Sequence, residues 1–301
     1  MSAKRTNLQN YAEYYGLKIL MFTVCLLHRS IAQFFGRILS FLLFYFIPVR
    51  KKQLLENIVL AFPEKSKQNV NLIAKNTYKT FARIFIDMFF IFKMSGDEVE
   101  KLLTYDKNMI DKALARGKGL VLLSAHFGNW ELSALALAKK YTVALIVAKQ
   151  SNDFVNRIIS SFRNKEGFNV IDFQRDDKMS FRHIIKALRK NYVLAILGDQ
   201  DAGHQGVFIP FFGKLASTPK GPAFFAIHAG SPIITAFGVY QKDGSMKMKL
   251  EELPIPNTGD EKKDIEIING IYNERLEDII RENPEQWFWF HRRWNTRPKN
   301  I

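Results

Sequence analysis

This chain of 301 residues contains one cysteine, Cys25, which lies in an apolar segment where a thiol behaves as a small hydrophobic group. A lone cysteine forms no intramolecular disulfide, so a disulfide-stabilised scaffold is excluded. The sequence also lacks internal repeats, low-complexity tracts and an obvious linker. Hydrophobic residues make up 47% and charged residues 24% of the chain, which excludes disorder as its main state.

Acidic residues are scarce relative to basic ones. The chain has 29 Asp and Glu against 44 Lys and Arg, a formal net charge of +15. This excess favours an anionic partner, and nucleic acid, anionic lipid and an acidic protein all qualify. Aromatic residues reach 13%, with 26 phenylalanines, which indicates that the chain covers or contacts something apolar.

The N-terminal region has no uninterrupted apolar run long enough for a clean membrane span. Two apolar segments, residues 17–27 and 31–48, are interrupted by Arg29 and Arg37. A spanning helix needs about 20 apolar residues, and each arginine would cost about 2.5 to 3.5 kcal/mol at the bilayer centre. No small-residue cleavage site follows, which excludes a secretory signal. We predict that residues 1–52 form an uncleaved hydrophobic membrane-anchor helix and that residues 53–301 form one enzymatic domain.

Basic residues lie on both sides of this anchor, so they favour an anionic cytoplasmic leaflet without deciding whether the segment spans or lies in the interface. The alternative is a helical hairpin that packs on the domain itself.

The rest of the chain predicts an α/β fold. Apolar residues recur at helical spacing over residues 67–94. From residue 117 onward, strand-like and helical segments alternate, as in a mostly parallel central sheet flanked by helices on both faces. A last amphipathic helix is predicted over residues 264–283. The predicted strands are 120–125, 142–148, 169–173, 192–199 and 232–240, and the predicted helices between them are 130–140, 154–167, 179–191 and 219–229.

The segment His126-Phe127-Gly128-Asn129-Trp130-Glu131 carries the clearest chemical signal. It follows a predicted strand and opens a predicted helix, which is where sites form in open α/β sheets. His126 can take a proton from a hydroxyl near neutral pH, and a carboxylate such as Glu131 can orient its ring. The alternative is a packed histidine beside a glutamate that stabilises a helix N-terminus.

Further motifs accompany this segment in a fixed order, and together they resemble the bacterial lipid A biosynthesis acyltransferases, the lauroyl and myristoyl transferase family. The first motif, HFGNWE, is similar to the family's His-x-x-x-x-Asp/Glu signature. The resemblance covers nearly the whole chain. The other matching segments are NIVLAFP at 57–63, Arg163 before Gly167, DQDAG at 199–203, VFIPFFG at 207–213 and PEQWFWFHRRWNTRP at 284–298.

The resemblance implies a mechanism. His126, assisted by Glu131, would deprotonate an acceptor hydroxyl that attacks a fatty acyl thioester, with no covalent acyl-enzyme. The oxyanion would need a donor, either a backbone N–H near Gly128 or a cationic side chain. Arg163 is expected to bind an anionic group of the acceptor or donor; without the resemblance it is a surface arginine paired with Glu166.

The resemblance also implies that Asp199 and Asp201 form a structural or acceptor-orienting element near the site, with Asp199 favoured for contact because it directly ends a strand. An Asp-x-Asp sequence also suits the metal site of a sugar-nucleotide transferase. The segment with Phe208, Pro210, Phe211, Phe212 and Gly213 is assigned to the wall of an acyl pocket, with a place in the core as the alternative. Histidine spacing fits no zinc site, so we predict no metal and no cofactor besides acyl-ACP or acyl-CoA as co-substrate.

Arginines and tryptophans interleave at the C-terminus, a pattern that suits single-stranded nucleic acid or a membrane interface. The apolar anchor favours the membrane, and we predict no nucleic-acid partner. We expect an enzyme on the cytoplasmic face of the bacterial inner membrane that transfers an acyl chain from acyl carrier protein to a lipid A precursor. The alternatives are an acyltransferase for another glycolipid or a lysophospholipid, and a membrane-tethered polyanion-binding protein without catalysis.

Overall fold

A seven-stranded, mostly parallel sheet forms the centre of the computed structural model, which describes residues 7–91, 94–147, 154, 163, 166–172 and 178–298. Its strand order is β1-β9-β8-β2-β5-β3-β4, and every described pairing is parallel except that of β8 with β9. Strands β6 and β7 form a separate antiparallel hairpin. The strands are β1 (Leu103–Thr104), β2 (Leu120–Ser124), β3 (Val143–Val147), β4 (Asn169–Asp172), β5 (Val193–Leu197), β6 (Val207–Phe211), β7 (Lys214–Thr218), β8 (Ile233–Tyr240) and β9 (Met246–Leu253).

Helices cover both faces of this sheet. Alternate residues of β2 point to opposite faces, so Val121 and Leu123 lie in one apolar core while Leu120 and Leu122 lie in the other. The first core also receives α8, α9 and α10, and the second receives α5, α6 and α7. The described helices are α1 (Asn7–Leu26), α2 (Arg29–Tyr45), α3 (Lys51–Ala61), α4 (Lys67–Ile91), α5 (Gly96–Leu102), α6 (Lys107–Leu114), α7 (Trp130–Ala138), α8 (Lys178–Arg189), α9 (Gly221–Ala229) and α10 (Glu261–Glu282).

The predicted α/β architecture is confirmed: the five predicted strands correspond to β2, β3, β4, β5 and β8. The predicted helix over 154–167 lies mostly outside the described residues. Strand β9 escapes prediction because its sequence, MKMKLEEL, is rich in charged residues, and several of its side chains are exposed. The β6–β7 hairpin is visible in the sequence only as a motif, because its two-residue turn has Phe212 at the first position, where Asn, Asp or Gly is usual.

The N-terminal region forms two helices, α1 and α2, where the sequence predicts one anchor helix. Helix α2 packs on α4 through small buried residues, Ala32, Gly36 and Ser40, as the alternative of a packed hairpin expects. Among the described residues, no helix has both the length and the apolar content needed to cross a membrane. The predicted boundary between residues 52 and 53, which stays a prediction, falls within α3.

The face of α2 that points away from α4 is apolar and open to solvent. Its large side chains are 37% to 53% exposed, and the loop that follows continues the surface. We call this set the α2 apolar face. Its members are Ile31, Phe34, Phe35, Ile38, Leu39, Phe41, Leu42 and Tyr45.

A buried carboxylate joins α2 to α4. Asp87 on α4 is 1% exposed and accepts hydrogen bonds from Arg29 Nε at 2.9 Å and Gln33 Nε2 at 2.7 Å, both on α2. The Arg83 side chain lies 3.7 Å from the same carboxylate and stacks on the ring of Tyr240, whose hydroxyl donates to Asp87 at 3.4 Å. The position of α2 on the domain therefore depends on Asp87 as well as on apolar packing.

We predict that Asp87→Ala lowers the free energy of unfolding by about 2 to 3 kcal/mol, because it leaves two partly buried arginines without their carboxylate. The measurement is chemical unfolding in detergent, followed by tryptophan fluorescence. Asp278→Ala is the control: that side chain is 67% exposed and lies 3.9 Å from Arg275, so its loss should cost less than about 0.5 kcal/mol. Equal midpoints for the two variants would contradict the structural role of Asp87.

Candidate active site

Two neighbouring strands bring the main candidate residues together. His126 follows β2 and Asp199 follows β5, and these strands pair in parallel along their whole length. Their carboxyl ends therefore meet at one edge of the sheet, where ligand sites of open α/β sheets form.

The turn that carries His126 is held by the segment of residues 286–288 near the C-terminus. Gly128 N donates to the Gln286 carbonyl at 2.8 Å, and Phe288 N donates to the His126 carbonyl at 3.0 Å. Gly128 adopts φ +53°, and a Cβ there would overlap the Gly238 carbonyl oxygen. Only glycine fits this turn without displacing β8.

His126 and Asp199 form a hydrogen-bonded dyad. His126 Nδ1 lies 2.8 Å from Asp199 Oδ1, and Trp287 Nε1 donates to Asp199 Oδ2 at 2.9 Å. Because the carboxylate accepts, Nδ1 carries the hydrogen and Nε2 presents its lone pair. The Asp199 side chain is 2% exposed, whereas that of His126 is 22% exposed and can be reached from solvent.

The electrostatics of the dyad favour a proton on His126. Burial lowers the pKa of His126, but the charge and hydrogen bond of Asp199, together with the charge of Glu131, raise that pKa above its ordinary value. Burial raises the pKa of the Asp199 carboxyl, yet the His126 ring and the Trp287 N–H hold that pKa below its ordinary value. The dyad therefore stabilises the imidazolium that forms when His126 takes a proton.

Glu131 lies beside the dyad and pairs with an arginine. Its Oε1 accepts from Arg163 Nη2 at 2.9 Å, and the side chains of Glu131 and Arg163 are only 11% and 17% exposed. Arg163 is thus in a half-buried pair with Glu131, while Glu166 pairs with Lys139 at 2.6 Å. The described bonds of His126 place Asp199, not Glu131, on its ring nitrogen.

Asp201 and Gln200 lie on the same loop as Asp199. Asp201 Oδ2 accepts from Thr296 Oγ1 at 2.7 Å, while its buried Oδ1 has no partner among the described residues. The Gln200 amide nitrogen is 3.4 Å from both ring nitrogens of His126. The Asp-x-Asp segment therefore contributes one carboxylate to the dyad and attaches the other to the C-terminal segment.

The candidate pocket residues lie on the β6–β7 hairpin. Phe208 is partly buried, Pro210 is exposed, and Gly213 forms the exposed turn at φ +69°. Phe211 and Phe212, which the sequence assigns to the same wall, lie in the core, as the alternative expects. Within the described chain, no hydrogen bond or ring contact joins Phe208, Pro210 or Gly213 to the dyad. Their assignment to an acyl pocket stays a prediction.

Two residues of the C-terminal segment act on the dyad electrostatically, and sequence reasoning gave neither a role in the site. Burial lowers the pKa of His291, which keeps its ring neutral at pH 7, and the charges of Asp199 and His126 act on it. Burial lowers the pKa of Arg293 to about 10, and the Asp199 carboxylate counteracts that shift. In the described parts of the chain, no three His, Cys, Asp or Glu side chains are grouped so that they could hold a metal ion.

This arrangement can activate a hydroxyl. Nε2 of His126 is a base whose protonated form is stabilised by a buried carboxylate, and a strand-end location gives access to a substrate. The backbone N–H of Gly128 is already bonded to Gln286, so that group is not a free oxyanion donor. A cationic side chain is the other possible kind of donor, and Arg163 is a candidate because its ion pair with Glu131 holds it beside the dyad.

The chain matches one family model over almost its full length. Residues 2–296 match the model described as bacterial lipid A biosynthesis acyltransferase. Two curated relatives from Escherichia coli strain K12 align broadly. The lipid A biosynthesis lauroyltransferase is 24% identical over 259 residues, covering 85% of this chain and 82% of that protein. The lipid A biosynthesis palmitoleoyltransferase is 22% identical over 293 residues, covering 95% and 91%.

A third relative has a different glycolipid in its name. The phosphatidylinositol mannoside acyltransferase of Mycolicibacterium smegmatis is 25% identical over 197 residues, which cover 65% of this chain. The chain spans 63% of the length of that relative.

We predict that Gly128→Ala destabilises the protein by about 2 to 5 kcal/mol, because the new methyl group adds a clash with β8 to the cost of a positive φ. Gly117→Ala is the matched control: it shares the positive φ, +68°, but no atom lies within 4 Å of the place that its new methyl carbon would take. We expect about 1 kcal/mol there. Thermal unfolding of the two variants measures the difference, and equal losses would show that the close approach to Gly238 is relieved without cost.

Proposed function

Because the chain belongs to the bacterial lipid A biosynthesis acyltransferase family, we propose that it transfers a fatty acyl chain to a hydroxyl of a lipid A precursor or a related glycolipid. The observation that carries this proposal is the dyad. A solvent-accessible imidazole has its Nδ1 bonded to a buried carboxylate, so Nε2 is the base for the acceptor hydroxyl.

In the proposed reaction, His126 Nε2 takes the proton of the acceptor hydroxyl as its oxygen attacks the thioester carbonyl. The new C–O bond forms and gives a tetrahedral oxyanion. When that intermediate collapses, the C–S bond breaks, and the proton on Nε2 passes to the departing thiolate. The products are an ester and a thiol, and Asp199 stabilises the imidazolium in between.

Glu131 and Arg163 form the second part of the proposed site. Glu131 adds negative charge near His126 and keeps Arg163 at the edge of the dyad. The guanidinium is suited to a phosphate of the acceptor or to the developing oxyanion, since its buried Nε has no partner among the described residues. Asp199 and Asp201 would orient the acceptor side of the site, and Asp199 does so through His126.

For the acyl donor we propose acyl carrier protein, which is acidic, rather than coenzyme A. The net charge of +15 favours encounter with an acidic protein. The names of the relatives support two acceptor classes, lipid A precursors and phosphatidylinositol mannosides. The broader alignment with the lipid A enzymes favours a lipid A precursor.

We further propose that the α2 apolar face binds the cytoplasmic leaflet of the bacterial inner membrane. Eight large apolar side chains exposed on one helix form a patch that a soluble monomer rarely shows. Exposed basic residues, among them Lys18, Arg37, Arg50 and Lys52, flank this patch and suit anionic headgroups. Residues 1–52 would then supply most of the membrane contact, and the site would receive lipid acceptors from the bilayer.

The first experiment is acyl transfer by purified protein in detergent. Labelled acyl chains on acyl carrier protein or coenzyme A are offered to the Kdo-bearing tetraacylated lipid A precursor, to phosphatidylinositol mannoside and to a lysophospholipid. We expect wild-type protein to form a more apolar labelled lipid from the lipid A precursor. His126→Ala should lower the rate at least about 10³-fold, since the general base and its imidazolium are both lost.

His228→Ala is the control, because that partly exposed histidine pairs with Glu261 at 3.1 Å. It should keep the wild-type rate. Full transfer by His126→Ala would overturn the mechanism. Transfer only to another acceptor would keep the chemistry and change the substrate, and no transfer to any acceptor would favour a binding protein without catalysis.

The membrane proposal is tested with vesicles. Phe34, Ile38 and Phe41 lie on one stripe of the α2 apolar face, and changing all three to serine should weaken binding to vesicles that contain anionic phosphatidylglycerol by at least tenfold. Leu72→Ser is the control, because Leu72 is 56% exposed on α4, outside this face. Co-sedimentation measures the effect. Wild-type protein that stays in the supernatant as a dimer would instead assign the face to a second copy of the chain.

A further inference from the structure

Two described side chains form hydrogen bonds with the buried carboxylate of Asp199, and each bonds to a different oxygen. His126 Nδ1 takes one oxygen and Trp287 Nε1 takes the other. A carboxylate that is 2% exposed depends on hydrogen bonds within the protein, and the indole N–H is the described side-chain donor to its second oxygen.

The indole of Trp287 is itself buried and packed among other aromatic rings. It is 1% exposed and packs edge-on against Phe211 at 5.5 Å and against Trp289 at 4.5 Å between ring centroids. Its backbone forms a bridge with Phe127, next to His126. The donor therefore approaches Asp199 from a rigid aromatic cluster, and its position relative to His126 is set by the same backbone pairing.

From this geometry we infer that Trp287 is a positioning residue for the proposed acyl transfer: its indole N–H holds Asp199 in the orientation that keeps Nε2 of His126 available as the base. The kinetic consequence of this inference rests on the proposed function. Its structural part, the coupling of Trp287 to the titration of His126, stands without that function.

The second tryptophan of the segment supplies a matched control. Trp289 is also buried, and its indole N–H also donates, but to the Pro284 carbonyl at 2.6 Å. Trp287→Phe and Trp289→Phe each remove one buried indole N–H and keep a six-membered aromatic ring. Only the first removes a hydrogen bond from the dyad, so general loosening of the aromatic cluster should affect both variants alike.

Other charged and titratable groups face the dyad and stay in place in both variants. Glu131 acts from α7, Tyr272 from α10, and His291 and Arg293 from the C-terminal segment. Asp201 acts on His291 and Arg293 from the loop after β5. A difference between the two variants can therefore be assigned to the lost indole donor.

The kinetic test compares the acyl-transfer rates of the two variants over pH. We expect Trp287→Phe to lower kcat roughly tenfold with KM nearly unchanged, because a hydrogen bond to a charged group is lost without a change in substrate contacts. The acid limb of the plot of kcat against pH should move to higher pH. The reason is that a carboxylate with one hydrogen-bond donor fewer is a stronger base, so the dyad holds its proton more tightly. Trp289→Phe should keep the wild-type profile.

A second measurement does not depend on catalysis. The protein is labelled with ¹⁵N-histidine, the His126 signal is assigned from its loss in His126→Gln, and its titration is followed by NMR. We expect the pKa of His126 to be higher in Trp287→Phe than in Trp289→Phe. A pKa equal to or below that of the control overturns the inference even if transfer is observed, and a raised pKa supports it even if the acyl-transfer assay fails.

Discussion

The structure depends on an ionised carboxylate, Asp199, that is removed from water. A buried anion is tolerated only when its oxygens are hydrogen-bonded, and here the two oxygens bind groups that are far apart in the chain, His126 at 2.8 Å and Trp287 at 2.9 Å. The same pairing that stabilises the charge brings the ends of β2 and β5 into contact with the C-terminal segment. The stability of this region and the reactivity of His126 therefore have one physical origin.

The C-terminal segment completes the site and connects it to the N-terminal helices. Asn57 on α3 donates to the carbonyls of Trp289 and His291, both at 2.7 Å. On the other side, the Gln286 side chain bonds to the backbone of Tyr240, whose hydroxyl reaches Asp87 and, through that carboxylate, α2. Hydrogen bonds therefore run from the helix that carries the α2 apolar face to the turn that carries His126. Because a packed interior deforms little, the proposed membrane surface and the site are held at a fixed distance from each other.

The sequence predicted what depends on local pattern. The strand that leads to His126 and the helix that follows it came from apolar periodicity and turn residues, and the family resemblance carried by the ordered motifs is confirmed. Spacing suggested Glu131, five residues away, as the carboxylate that assists His126, and this role stays a prediction. The contact of Nδ1 with Asp199, 73 positions along the chain, was not predicted. That contact requires β5 to lie next to β2, although β3 and β4 come between them in sequence. Neither periodicity nor spacing encodes strand order. The hydrogen bond from Trp287 to Asp199 was not predicted for the same reason: the sequence does not show which acceptor an indole N–H will contact.

The formal charges around the dyad explain why the protonated form of His126 is favoured. Three carboxylates, Glu131, Asp199 and Asp201, are set against two guanidiniums, Arg163 and Arg293, while burial keeps His291 neutral. With His126 neutral, these five charged side chains carry one net negative charge in a poorly solvated region. With His126 protonated, the net charge of the cluster is zero. In the proposed reaction, proton transfer from an acceptor hydroxyl to His126 would move this set of charges towards neutrality, and a low effective dielectric strengthens that preference. A second carboxylate bonded directly to the ring would trap the proton instead. Glu131 is paired with Arg163 instead. In the proposed reaction, this pairing lets His126 accept the proton and return it to the leaving thiolate.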